Sequence, residues 1–104
     1  MVVEIVIKCD FSSMDIVSHL SKLGRRSPWR SERRPRGGFK FFHRTTDRVG
    51  REGNIRIRKT QKTSDGHKRI YATAVGVDEI KLTSEFIEWL LTHFRDKILR
   101  IVVR

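Results

Sequence analysis

The sequence is poor in residues that staple chains or break them. Of 104 residues, one is cysteine and two are proline. A lone Cys9 cannot close an internal disulfide, which excludes a disulfide-stapled secreted scaffold. At the end of an apolar run it reads as a small core residue, since an activated thiol needs cationic neighbours. No apolar stretch approaches the ~18–20 residues of a membrane span. The N-terminal MVVEIVIK is interrupted by Glu4 and has no signal-peptide pattern. The expectation is an intracellular, cytoplasmic protein with no membrane partner.

Chemistry-bearing clusters are scarce as well. His19, His43, His67 and His93 have no metal-ligand spacing with Cys9 or with a carboxylate cluster. No glycine-rich phosphate cradle and no nucleophile elbow is present, so neither a metal nor a cofactor is expected. Acidic residues are few where basic ones are many. The chain carries a net charge of +11. Residues 1–21 come to −2 and residues 70–104 to zero, while residues 22–69 hold 17 Lys and Arg against four acids. Self-repulsion in such a block opposes compaction, so the block implies a polyanionic partner.

Enough remains for one modest core: hydrophobic residues make up 38%, including nine aromatics, in a length that fits one domain. VVEIVIK (2–8) reads as a strand. Asp10, Ser12 and Ser13 are N-cap candidates for a helix carrying Ile16, Val17, Leu20 and Leu23 and ending at Gly24. Residues 25–38 form a basic connector with six Arg and no Lys up to Arg36, kept out of helix by Pro28 and Pro35. FKFFHR (39–44) reads as a strand with Phe39, Phe41 and His43 inward. NIRIRKTQK and HKRIYATAV alternate on either side of an Asp65-Gly66 turn, the pattern of a hairpin over 54–76. GVDEIKL is expected as a short extended lead-in. Thr83 or Ser84 then caps a helix with an apolar stripe of Phe86, Trp89, Leu90, His93 and Phe94. KILRIVVR closes the chain as a strand.

The order β-α-β-β-β-α-β predicts a two-layer α+β fold, with two helices on one face of a mostly antiparallel sheet. The other face is then open. Its outward positions on the three middle strands are Lys40, Phe42 and Arg44; Arg56, Arg58 and Thr60; Arg69, Tyr71 and Thr73. That face carries five cations, two aromatics and no acid. Cations neutralise phosphates, and aromatic rings stack on unpaired bases. The expected nucleic-acid-binding residues are Arg25, Arg26, Trp29, Arg30, Arg33, Arg34, Arg36, Lys40, Phe42, Arg44, Arg56, Arg58, Lys59, Lys62, Lys68, Arg69 and Tyr71. Trp29 has two readings: a base-stacking residue among arginines, or a ring folded back to seal the helix layer.

The first strand, the helix ending SKLG and the later RGGFKFF loosely resemble an RNA-recognition motif, with Arg36, Gly37, Phe39 and Phe41 at its Arg-Gly-aromatic signature. Here the glycine–aromatic order is shifted, the first strand lacks an aromatic, and an extra hairpin precedes the second helix. The α–β–β–β–α middle is similar in order to double-stranded-RNA-binding domains and to HicA-type toxins, without their lysine-rich helix start or Gly-Ser-His strand motif. These likenesses are analogies of element order and not a family assignment.

The leading expectation is a non-enzymatic nucleic-acid-binding protein, with RNA favoured over DNA because the reader is an aromatic sheet and not a basic helix. A β-ribbon in a DNA groove, reading guanines through Arg56, Arg58 and Arg69, is a variant of it. One alternative is a regulator that binds an acidic protein partner through the same charge. Another is a small metal-independent ribonuclease, if His43 and His67 meet across the sheet as base and acid. The string Asp78, Glu79, Lys81 reads as a polar helix lead-in before it reads as a nuclease site. The apolar last strand, Ile98 to Val103, invites self-pairing into a homodimer if it lies at an edge.

Overall fold

The computed structural model describes residues 2–43, 53–76 and 78–104, and for Lys59 the backbone alone. Among the described residues there are six strands and two α-helices: β1 (Val3–Cys9), α1 (Ser13–Leu23), β2 (Trp29–Arg33), β3 (Phe39–His43), β4 (Asn54–Lys62), β5 (Lys68–Val75), α2 (Glu79–Phe94) and β6 (Ile98–Val103). The strands form one sheet in the order β2-β3-β4-β5-β1-β6, and every neighbouring pair is antiparallel. This is the expected α+β architecture with one strand more, because the connector contains β2. Its prolines at 28 and 35 flank that strand and leave its interior free to pair.

Local sequence accounts for the elements. Ser12 caps α1: the Asp15 N–H donates to Ser12 Oγ (3.3 Å) and the Ser12 N–H donates back to Asp15 Oδ2 (2.8 Å). The hydrogen bond from the Ser12 backbone, then that from its side chain, hold the Asp15 carboxyl below its ordinary range. Gly24 ends the helix at φ +56°. The second helix begins earlier than the sequence implies. Asp78 is its N-cap, accepting from the Lys81 N–H at 3.4 Å, and residues 79–82 of the expected extended lead-in are its first turn, while Val77 lies outside the described residues. Thr83, expected as a cap, lies a turn inside, where its hydroxyl donates to the Glu79 carbonyl (2.7 Å). Asp78 and Glu79 thus serve the helix start. No helix among the described residues is long and apolar enough to cross a membrane.

Both helices press on the same sheet face. Ile5, Ile7 and Cys9 of β1, Ile70, Ala72 and Ala74 of β5, Ile55 and Ile57 of β4 and Phe41 of β3 meet Phe11, Ile16 and Leu20 from one side and Leu82, Phe86, Trp89 and Leu90 from the other. Each Ile, Leu or Phe side chain among them, fully buried, contributes about 1.5–3 kcal/mol. Burial is also the main cause that raises the Cys9 thiol pKa, in keeping with a core residue.

Candidate nucleic-acid interface

Trp29 belongs to that core. It is 2% exposed and stands edge-on to Phe86 and His43, at ring-centroid distances of 5.5 and 5.0 Å. The stacking reading of Trp29 is therefore corrected: β2 pairs with β3 so that Trp29 lies opposite His43 on the helix side. The strand alternation then turns Arg30 and Glu32 to the open face and Arg33 to the helix side, at the sheet edge. Arg25 and Arg26 occupy a 3₁₀ turn after α1, where Arg26 donates to the carbonyls of Lys22 (3.2 Å) and Leu23 (3.3 Å). They close the helix end and lie off the sheet's open face. Arg34 and Arg36 sit in the β2–β3 connection. The connector therefore contributes one arginine to the open face from within β2, where the sequence reading expects a continuous arginine patch.

Phe42 does point to the open face but is only 8% exposed. Arg30 lies over its ring, 4.4 Å from the centroid, and pairs with Glu32 at 2.7 Å. A covered ring is not a platform for a base, so Phe42 is also corrected.

A bulge shapes the centre. The register between β4 and β5 slips between Ile57 and Thr60. Two-against-one pairing returns Thr60 to the helix side, against the outward placement expected from strict alternation. There Thr60 Oγ1 accepts from the Ser13 N–H (2.9 Å), tying the start of α1 to β4. Gln61 then faces outward, while Lys62 and Lys68 pair with each other near the hairpin end on the helix-side register.

The open face of β4, β5, β1 and β6 resolves into three rows. Across the first, Gln61, Arg69, Lys8 and Arg100 are direct cross-strand neighbours. Across the second run Tyr71, Val6 and Val102. The third carries Lys40, Arg56, Thr73 and Glu4, with Glu32 at the β2 end and Arg104 beside Glu4. An aromatic–apolar row thus lies between a row of cations and a mixed row of three cations and two acids. Tyr71, 38% exposed, is shared by two adjoining depressions. One, of about 510 Å³, is rimmed by Arg58, Gln61, Thr73, Glu4 and Arg104; the other, of about 250 Å³, by Lys8, Arg69, Arg100 and Arg104. The face is not free of acid: Glu4 and Glu32 stand on it. Lys8 pairs with Asp65 of the hairpin turn. The hydrogen bond from Lys8, followed by that from Thr63, keeps the Asp65 carboxyl well below the usual carboxylate range.

Of the expected residues, Lys40, Arg56, Arg58, Arg69 and Tyr71 share this face, with Arg30 at its far edge. Arg44 and the side chain of Lys59 lie outside the described residues. Lys8, Arg100 and Arg104 were missed. Their signal is the alternation in VEIVIK and LRIVVR, but its value depends on β1 and β6 lying beside β5, which alternation does not reveal.

The histidine pair does not form. His43 sits at the β3 end that pairs near Asn54, where its Nε2 meets Glu85 at 2.9 Å. His67 lies beyond the opposite end of β4, with Nδ1 2.5 Å from Asp10. Nine residues of β4 separate the two ends, on the order of 25 Å at strand rise. The ribonuclease expectation built on their meeting is corrected. The two histidines that do meet are His19 and His93, on facing helices, 3.0 Å apart between ring nitrogens and beside Trp89 and Phe94. Partial burial, and then His19, lower the His93 pKa. No family model matches this chain, and no curated protein or solved structure does either.

Proposed function

We propose that the chain binds single-stranded nucleic acid, RNA in the first instance, on the open face of β4, β5, β1 and β6. The observation that carries the reading is the row Arg69, Lys8 and Arg100, cations directly opposite one another across three strands. Opposed like charges cost about 0.2–1 kcal/mol per pair, and Asp65 relieves only Lys8. A phosphate backbone along the row removes that repulsion and releases counterions. The adjoining Tyr71–Val6–Val102 row offers a flat surface for bases, with Tyr71 as the exposed ring. A sheet face of this kind suits unpaired bases better than a duplex groove.

The test is fluorescence anisotropy with a labelled single-stranded RNA, the same sequence as DNA, and its duplex, each titrated with salt. Binding should tighten as salt falls, with a log–log slope near −0.7 for each phosphate neutralised. Tyr71→Ala should weaken binding by roughly 5- to 150-fold, the equivalent of losing ~1–3 kcal/mol of stacking, and leave the slope unchanged. Replacing Arg69 and Arg100 by Ala should flatten the slope by about 1.4. Absence of binding at low salt refutes the reading. So does polyglutamate competing as well as RNA, which assigns the face to an acidic protein.

A further inference from the structure

The two edges of the sheet are built differently. The β2 edge, WRSER, carries Arg30, Glu32 and Arg33 and is flanked by Pro28 and Pro35. Charge and proline are the usual guards against strand pairing at an edge. The β6 edge, ILRIVV, has one charge in six residues and no proline. Leu99 and Val103 on it are 51% and 50% exposed.

Backbone geometry says which groups of β6 have no partner in the described sheet. Glu4 and Arg104 exchange both hydrogen bonds, at 3.2 and 2.9 Å. In an antiparallel ladder such pairs alternate, so Val102 and Arg100 also turn their N–H and C=O toward β1. Those of Val103 and Ile101 therefore point away from the sheet. A slip in the β1–β6 register at Lys8/Cys9 confines regular geometry to the stretch from Arg100 onward.

We infer that β6 pairs with β6 of a second copy of this chain, antiparallel about a two-fold axis through Ile101, giving one continuous sheet across a homodimer. Three constraints select this occupant and this register. Outward-facing groups must meet outward-facing groups, which pairs odd positions with odd. A two-fold axis at Arg100 would set Arg100 against its own copy, and one at Val102 would set Arg100 against Arg104. The axis at Ile101 sets Arg100 opposite Val102 and opposes no two arginines. It also brings the exposed Val103 of each copy toward the exposed Leu99 of the other, at the point where the regular ladder ends. The strand is thus complementary to itself in hydrogen bonding, charge and apolar contact, and the dimer needs no other chain.

The inference stands whether or not the open face binds nucleic acid. If it does, the dimer sets Arg100 and Arg104 of both copies along one seam and joins the two faces. Because both copies are strongly cationic, self-association should tighten as salt rises, the opposite of the trend for nucleic acid.

The experiment uses nuclease-treated full-length protein free of nucleic acid. Sedimentation equilibrium should give a mass approaching twice the monomer, more so at high salt. Mild oxidation of Ile101→Cys should yield a crosslinked dimer, because hydrogen-bonded antiparallel partners lie ~5.5 Å apart, within disulfide range. Val103→Cys should not crosslink, since its copy lies about 13 Å along the strand. Cys9, fully buried, does not compete. Val103→Pro leaves the ladder to β1 intact, because its N–H points outward, and should give a folded monomer by circular dichroism. A monomer at every salt concentration overturns the inference. Equal crosslinking at 101 and 103 overturns the register, and a dimer unaffected by Val103→Pro overturns the edge.

Discussion

Gly37 and Gly38 are adjacent, both have positive φ (+97° and +81°), and they make opposite demands on a side chain. A Cβ on Gly37 meets nothing within 4 Å. A Cβ on Gly38 falls 2.2 Å from the carbonyl oxygen of Ile57, 2.6 Å from that of Arg58 and 2.9 Å from the Arg58 Cα. These are backbone atoms at the start of the β4 bulge, held by β3 on one side and β5 on the other. They cannot swing aside as the end of a side chain does. Gly37→Ala should therefore cost only the left-handed conformation, about 1–2 kcal/mol. Gly38→Ala adds overpacking, about 1–3 kcal/mol more, for a total of about 2–5 kcal/mol. That is a large part of the 5–15 kcal/mol typical of a domain. At about 4–8 °C per kcal/mol, Gly38→Ala should lower Tm by at least about 8 °C, and Gly37→Ala by roughly 4–16 °C. Urea unfolding followed by the fluorescence of Trp29 and Trp89, both buried, measures the two variants side by side. Equal free-energy losses for the two would refute the close approach of β3 to the bulge, and with it the placement of Arg58 on the open face.

Trp29→Ala should destabilise the fold by about 3–5 kcal/mol, read as a shift in urea midpoint; an unchanged midpoint with weakened RNA binding would return Trp29 to the surface. Ser12→Ala should cost about 1 kcal/mol through the lost cap, measured the same way. The lowered His93 pKa makes a signed prediction: the folded state holds this imidazole neutral, so its contribution is present above the ordinary value near 6.5 and lost as pH falls through the lower folded value. Tm measured from neutral pH to about pH 5 should fall more steeply for the wild type than for His93→Gln, and parallel curves would count against the His19–His93 contact as a proton-sensitive one.

Much of the fold was legible because it is local. Val3–Cys9, the two arms of the 54–76 hairpin and the stripe through Phe86, Trp89 and Leu90 each announce themselves by a period of two or of 3.6, and a period reports which face of an element is buried. Ser12 and Gly24 mark the ends of α1 by their own backbone chemistry. The same period predicted that Arg56, Arg69 and Tyr71 share an outward face, and they do.

Periodicity is silent on which strand lies beside which, and there tertiary structure decided. WRSER became a strand because β3 offered it an edge, and that pairing took Trp29 inside and set Arg30 over Phe42. The bulge after Ile57 moved Thr60 to the helix side, where Ser13 was waiting for it; one inserted residue inverts the faces of everything after it. His43 and His67, each at the end of a strand, came to lie at opposite ends of β4 because hairpin order and not sequence distance sets separation in a sheet. Lys8 and Arg100, 92 positions apart, became direct neighbours across β1 and β6. The sequence by itself determined which residues turn outward where the alternation is unbroken, as in β1, β5 and β4 up to Ile57. Only the strand order, a non-local property set by how the apolar faces pack under two helices, decided that those residues form a row of cations on one side of Tyr71 and a mixed row on the other.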